Sequence, residues 1–491
     1  MPLPDNNISW PPPHLARSLA EMRVDDAWYS GEPAKLTAAY STNPSRKSGA
    51  SRLWGRRRAP QPGKRDNRLH IPLAGDIATA SADLLFSEPP TFTVGDTATQ
   101  DRLNELSDAD GIANTLLEGA EVAAALGGVY LRITWDHSLV DRPLLTTVHA
   151  DAAVPEFSFG LLRAVTFWHE LASDGASVLR HLERHERGRI LHGLYQGTAD
   201  SLGRRVPLTE HPAVAPLAEA LGPDGESIET GIDRLTAAYV RNIGPNRKHR
   251  GSDLGRSDYA APLYDLFDAL DTTWTSWIRD IRLARARLII PDAYLRDHGP
   301  GNGASFDADR EIWQLLNIPP TEQGGITLSQ FAIRVEEHER TSEATTRQAV
   351  RSAGYAAQTF GIDDQGAAIT ATEVKAKERR SITTRGKKIR YWSPPLGEML
   401  HVMLLLDRLM FGRGIVPERP RIDFGGFVSE DPTTLAQTLS LYQQAQAVSV
   451  DTKVRMLHPG WDEDEVQAEV GRILTETGQA VPDPMQVGAL V

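Results

Sequence analysis

The chain has 491 residues, 40% of them apolar and 24% charged, with a formal net charge of −12 and no cysteine. Disulfides, thiolate metal sites and cysteine nucleophiles are excluded, and no apolar run reaches the roughly 18 residues of a membrane span. The length suits roughly two to four domains, and the acidic balance disfavours a protein that holds nucleic acid statically, because that affinity comes largely from Lys and Arg on phosphates.

Residues 1–68 are rich in Pro, Ser and Arg, with Trp10, Trp28, Tyr29 and Trp54 scattered among them. They read as a peripheral arm with a short helix over His14–Trp28, either wrapped on a neighbour or partly disordered. The first residues lack a basic stretch followed by an apolar core, so no secretory signal is expected. Leu69–Phe86 has helical spacing, with Leu73, Ile77, Ala80 and Leu84 on one face and Pro89-Pro90 beyond its end. Thr91–Val94 starts a strand, and Thr99–Leu126 reads as one helix closed by Gly127-Gly128. Strands follow at Val129–Trp135, Leu144–His149, Ala164–Leu171, Val178–His185 and Arg189–Tyr195, the last two forming a hairpin around Gly188.

After the polar linker Gly244–Gly255, a long amphipathic helix is expected over Asp258–Ile290. Its apolar residues include Leu263, Leu266, Phe267, Leu270, Trp274, Trp277, Ile278, Ile281 and Leu288. Ser257 and Asp258 offer N-cap oxygens, and Arg279, Arg282, Arg285 and Arg287 suit the C-terminal end of the helix dipole. At ~1.5 Å per residue it would be on the order of 45 Å long. A Gly- and Pro-punctuated insert follows, with short strand-like pieces at Trp313–Leu316 and Ile326–Val335. A second helix returns over Val335–Gln358, so that helix, insert and helix form a stalk. Gly361–Ala368 is a flexible turn. Thr370–Phe411 is helical with an expected break at Pro394-Pro395, Arg421–Val428 is a strand, and Asp431–Thr477 is a set of polar helices with a cap signal at Ser449–Thr452.

Charge is unevenly spread. Arg46–Arg68 carries nine bases and one acid, Lys375–Arg390 eight bases and one acid, and residues 429–491 ten acids and three bases. Each run is either a solvated face or part of an electrostatic partition between contact surfaces. Catalytic signatures are missing. There is no G-x-x-x-x-G-K-[ST] loop, no G-x-G-x-x-G after a strand and no G-x-S-x-G elbow. His181, Glu183 and His185 share one face of a strand, where the two histidines stand ~13 Å apart, too far to seat one metal. His401 reads as a core histidine. The acid pairs Asp25-Asp26, Asp363-Asp364 and Asp462–Glu465 lie in solvated runs without strand context for a nuclease. Trp274 and Trp277, in register with leucines, read as helix packing rather than base-stacking platforms.

Several stretches, taken together and in order, resemble the portal (head-to-tail connector) proteins of tailed double-stranded DNA bacteriophages. They are LHIPLAGDIATASADLLFSEPPTFTV, GRILHGLYQG, GRSDYAAPLYDLFDALDTTWTSWIRDIRLARARLIIP, RIDFGGFVSEDPTTLAQTLSLYQQAQAVSVDTKVRML and DEDEVQAEVGRILTE, which span most of residues 69–477. The resemblance implies an α+β portal fold with a wing, a helical stem, a small clip and a C-terminal helical crown. By position, 1–68 is the N-terminal arm, 69–255 the first part of the wing, 256–290 and 335–358 the stem helices and 291–334 the clip. The channel loop is 359–369, the long wing helix and strand 370–428, and the crown 429–491. The family's Ser-Gly-x-Ala before the long wing helix stands here as Gln365-Gly366-Ala367-Ala368.

The implied function is structural, at the unique capsid vertex of a virion assembled in the host cytoplasm. A homo-oligomeric ring, typically of about twelve subunits, passes double-stranded DNA during packaging and ejection. Its implied partners are the capsid protein, the terminase packaging motor and a tail adaptor, with no membrane and no cofactor. The expected functional residues are Gly361, Asp363, Asp364, Gln365 and Gly366 in the channel loop, and Leu266, Leu270, Trp274, Trp277 and Ile281 in subunit packing along the stem. Arg56, Arg57, Arg58, Lys387 and Lys388 are expected to make electrostatic contacts with partners. The other readings are a different virion structural or adaptor protein, which would lack the stalk, and a DNA-processing enzyme such as a nuclease or packaging ATPase subunit, which would need the missing signatures.

Overall fold

The computed structural model describes residues 3–42, 69–109, 111–137, 139–259, 263–284, 287–289, 296–297, 304–305, 327–329, 332–362, 371–425, 432–445, 447–458, 461 and 463–477. It is an α+β chain that divides into two compact units. One is Met1–Ile369 with Glu373–Gly425; the other is Thr370–Thr372 with Gly426–Val491.

The larger unit begins with helices α1 (Ala16–Ser30) and α2 (Pro33–Thr42). Residues 3–42 do not form a peripheral arm. Trp10 and Trp28 are almost fully buried within their own chain, and the backbone of Asn7 and Trp10 donates to the carbonyls of Gly203 and Asp200 at 2.6 and 3.0 Å. Two large indoles supply the apolar area that holds this polar-looking segment in place. Helix α3 (Leu73–Phe86) buries Leu73, Ile77 and Leu84 of the predicted stripe and leaves Ala80 half-buried, and β1 (Thr91–Thr93) follows its Pro-Pro exit. The single helix expected over Thr99–Leu126 is two, α4 (Thr97–Ala109) and α5 (Ile112–Leu126). Gly111 divides them with a φ of 57°, a left-handed conformation that ends a helix and that glycine adopts without a Cβ clash.

Seven strands follow, β2 (Gly128–Thr134), β3 (Leu144–His149), β4 (Ala153–Ser158), β5 (Leu161–Ser173), β6 (Val178–Glu186), β7 (Arg189–Thr198) and β8 (Ser201–Val206). After the short helix α6 (Leu217–Ala220) come β9 (Ser227–Glu229) and β10 (Ala237–Arg241). They build a three-stranded sheet in the order β10-β2-β3 and a six-stranded sheet in the order β4-β5-β6-β7-β8 with β9 against β7, every pairing antiparallel. The β6–β7 hairpin turns at Gly188 as its alternation predicts, with Glu186 opposite Arg189. Strands β4, β8 and β10 carry no clear alternation signal. β4 contains Pro155, and β8 contains Gly203 at a φ of 73°, where an added Cβ would lie 2.0 Å from the carbonyl of Gln196.

Helix α7 (Leu263–Leu283) and helix α8 (Val335–Ala353) flank the insert. Of the insert, β11 (Arg287–Ile289) pairs with β14 (Thr327–Ser329), and β12 (Arg296–Asp297) with β13 (Ala304–Ser305). The expected strand-like piece at Trp313–Leu316 lies outside the described residues. Helix α7 is shorter than expected, 21 residues, or roughly 31 Å. Its far end gives way to β11, where Leu288 and Ile289 find a cross-strand partner. Ser257 and Asp258 do not cap it, because the Asp258 carboxylate is committed elsewhere.

Helix α9 runs from Ala371 to Met410, 40 residues, straight through Pro394 and Pro395, with no break there. Each proline costs about 3 kcal/mol in a helix interior. The offset comes from the burial that follows them. Leu396, Met399, Leu400, Val402, Met403, Leu404 and Leu406 are all buried in the main core with α3, α4, α5, β2 and β3, and Arg390, Tyr391, Pro394 and Pro395 border an open cavity of about 720 Å³. His401, expected in the core, is half-buried. Strand β15 (Arg421–Asp423) closes the unit antiparallel to β1.

The smaller unit holds α10 (Pro432–Gln444), α11 (Val450–Leu457) and α12 (Glu463–Glu476). The predicted cap is present, with Ser449 Oγ accepting from the backbone N–H of Thr452 at 3.2 Å. Leu441, Leu457 and Trp461 are exposed.

Candidate functional site

The two stalk helices form an antiparallel hairpin. Near its tip, Asp280 of α7 accepts from Arg334 Nε at 2.9 Å and from His338 Nε2 at 3.0 Å. These hydrogen bonds, the one from His338 foremost, hold the Asp280 carboxyl below the usual range. The Trp277 ring stacks on His338 with centroids 5.9 Å apart, and Trp274 leans on Trp277 at 5.1 Å. At its base, α7 docks on the N-terminal segment. Trp28 packs on Phe267 at 5.3 Å and lies parallel to Tyr264 at 6.5 Å. Asp271 accepts from the Ile71 N–H at 2.9 Å and bonds His70 Nδ1 at 2.9 Å. The Tyr264 hydroxyl donates to Asp25, whose carboxyl is pushed up to about 7, chiefly by burial.

Both ends of the hairpin meet at a buried ionic anchor. Lys388 Nζ donates to Asp258 Oδ2 at 2.6 Å and to Ser81 Oγ at 2.6 Å. The Tyr355 hydroxyl, just past α8, donates to the same Asp258 oxygen at 2.7 Å, and Asn242 Nδ2 donates to the other at 2.9 Å. The side chains of Lys388 and Asp258 are 1% and 2% exposed. Burial lowers the Lys388 pKa while Asp258 pulls it back up, and burial, with Asp258 beside it, raises that of Tyr355. Four segments distant in sequence, α3, the 242–258 linker, the end of α8 and the middle of α9, are thus tied at one point. A buried pair of this kind sets geometry more than stability.

Lys388 therefore cannot contact a partner, contrary to expectation. It lies on the helix stripe Ser381, Thr384, Lys388, Trp392 and Leu396, all buried, and that spacing of three and four is the sequence signal that could have revealed it. Its neighbour Lys387 is exposed. Among the expected stem residues, Leu270 is buried within its own chain. Leu266, Trp274 and Trp277 are half-buried, and Ile281 is 45% exposed, as are Ile333 and Val335 beside it at 38% and 47%. Gly361 is exposed with a φ of 67° and follows a short 3-10 turn, Ala357–Phe360. Asp363, Asp364, Gln365, Gly366, Arg56, Arg57 and Arg58 lie outside the described residues.

The histidines of β6 belong to a second buried network. His185 Nε2 bonds Glu183 Oε1 at 2.9 Å, Arg132 donates to Glu183 Oε2 at 2.7 Å, and His181 Nε2 faces His192 Nδ1 at 3.2 Å with the rings stacked. Burial pushes His181 and His192 down to about 4. Against the upward push of burial, Arg132 and His185 hold the Glu183 carboxyl far below its ordinary value. Among the described residues no three His, Asp or Glu side chains group to hold a metal ion, and no helix is long and apolar enough to cross a membrane.

No protein-family model matches the chain, and no curated protein does. Solved structures that it is similar to include three chains from gene transfer agent (GTA) particles. A chain of the virion of a native GTA particle is 12% identical with a TM-score of 0.40, over 80% of this chain and 94% of that one. A chain of the neck of a native GTA particle computed with C12 symmetry is 11% identical with a TM-score of 0.40, over 82% and 90%. A chain of the neck of an empty GTA particle computed with C6 symmetry is 13% identical with a TM-score of 0.41, over 79% and 89%. Likenesses at these TM-scores carry no argument about function.

Proposed function

We propose that the chain is a portal subunit, one stave of a ring-shaped channel at a capsid vertex through which double-stranded DNA is packaged and ejected, with no catalytic role of its own. The observation that supports it best is the antiparallel hairpin of α7 and α8, rooted in a buried ion pair and bearing half-buried tryptophans and exposed Ile281, Ile333 and Val335. Such a hairpin exposes more apolar surface than a lone subunit hides, and identical neighbours around a closed ring would cover it. On this reading 256–290 and 335–358 are the stem, 291–334 the clip that receives the packaging motor and tail adaptor, 359–369 the channel loop, 69–255 and 370–428 the wing and 429–491 the crown. The net charge of −12 suits a bore that does not grip DNA along its whole length.

The test is the mass and symmetry of the purified protein, by native mass spectrometry and electron microscopy. A closed ring of about a dozen copies with a central hole is expected; a protein that stays monomeric in every condition tried would overturn the reading. Converting Trp274 and Ile281 to serine should lower ring yield while leaving the circular dichroism of the subunit intact.

A further inference from the structure

Within the basic run, Arg379–Lys388 divides between two faces of α9. Lys388 turns inward to Asp258, and Arg385 turns to the carbonyls of Leu84 and Phe424, each at 2.6 Å. Arg379, Arg380 and Lys387 turn the other way, and with Arg247 and Arg256 of the linker they border a cavity of about 490 Å³ beside the end of α8. No acidic residue lines it. Among the described residues none of these five cations has an ion pair. The Arg256 Nε is buried without a hydrogen-bond partner. Burial chiefly, and then the proximity of Arg247, push the Arg256 pKa down against the opposing pull of Asp258; an anion in the cavity would offset the like-charge part.

The cavity suits a phosphate and exceeds one. Arg379 and Lys387 both border it, eight residues apart on α9 and so ~12 Å apart along the axis, and one strand of duplex DNA advances only ~3.4 Å of axis per phosphate. A row of cations of that length meets several phosphates of a strand. No aromatic side chain lines the cavity, so bases have nothing to stack on, and contact would be with the backbone, independent of sequence. We propose that this cavity is a phosphate-binding site that takes successive phosphates of a nucleic-acid backbone. The proposal stands on the cavity and adds a DNA contact to the channel reading, so that either can fail alone.

The experiment uses the full chain in whatever assembly it forms. Fluorescence anisotropy with a labelled duplex of arbitrary sequence, between about 50 and about 200 mM salt, compares the wild type, Arg380→Gln/Lys387→Gln, and a control pair of exposed cations elsewhere, Arg250→Gln/Arg408→Gln. The cavity variant is expected to lose about tenfold in affinity at the lower salt and to flatten the log–log salt slope by about two, the control much less. Equal losses in the two variants, or no loss in either, would overturn the proposal. A thermal shift with inorganic phosphate separates the sources of phosphate. Stabilisation by phosphate that the cavity variant loses, with DNA affinity unchanged, would make this a free-anion site and sink the nucleic-acid assignment. Loss of assembly with DNA affinity unchanged would instead mean that the cavity holds carboxylates of a neighbouring copy. A monomer whose cavity variant still loses DNA would remove the channel reading and leave this one standing.

Discussion

Replacing Lys388 by methionine tests the anchor most directly. Methionine keeps the length and apolar stem of the side chain and removes only the charge, leaving Asp258 as a carboxylate that is 2% exposed. Breaking a buried pair from one side costs 3–5 kcal/mol in comparable proteins, roughly. Two donors remain, Tyr355 at 2.7 Å and Asn242 at 2.9 Å, and each soften the loss, which places the expected cost near the lower end, about 3 kcal/mol, or roughly a hundredfold in the folding equilibrium. Asp258→Asn in the same chain removes the stranded charge and keeps one oxygen to accept from Asn242, while its new amide can donate to the Tyr355 hydroxyl oxygen, so the double variant should be more stable than the single. The assay is urea unfolding followed by tryptophan emission, at a fixed protein concentration so that assembly does not shift the midpoints. A single variant that loses less than about 1 kcal/mol, or a double variant no more stable than the single, would refute the reasoning.

Asp25 and Trp10 give two further outcomes. Asp25, 4% exposed, has its carboxyl raised from 3.8 to about 7 by burial. The folded state therefore binds this proton where the unfolded state does not, and stability is present below pH 3.8 and lost as pH rises through 7; Asp25→Asn should gain on the wild type by up to about 4 kcal/mol between pH 4 and pH 8, and a difference flat across that range in urea titrations would count against the assignment. Trp10, 2% exposed and edge-on to Trp168 at 6.1 Å, should cost about 3 kcal/mol on conversion to alanine, whereas an arm loosely attached to the surface would show a change within about 0.5 kcal/mol in the same measurement.

Local patterns in the sequence determined much of this protein. Alternation placed β2, β3, β6 and β7 within a few residues, helical spacing placed α3 and α8, and the Ser449 cap was legible because its partner Thr452 is three residues away. Each of these signals is short-range: a strand alternates and a helix repeats whatever it packs against. The hairpin itself, two amphipathic helices around an insert, was legible for the same reason.

What the sequence left open depends on partners far away along the chain. The run Lys375–Arg390 is a uniform block of charge in one dimension, yet successive helical residues point about 100° apart, so Lys388 enters the core and Lys387 borders a cavity. Which of them turns inward was decided by Asp258, 130 positions earlier. The same carboxylate explains why α7 does not begin where its cap residues suggested. Pro394-Pro395 reads as a break because the local cost is certain and the compensating burial of Leu396–Leu406 is not visible until α3, α5 and the sheet surround it. Trp10 and Trp28 look like stray aromatics in a polar segment until β7, β8 and α7 supply the surfaces that they cover. Tertiary structure decided these points because burial and ion pairing are sums over neighbours in space, and neighbours hundreds of residues apart leave no period in the sequence.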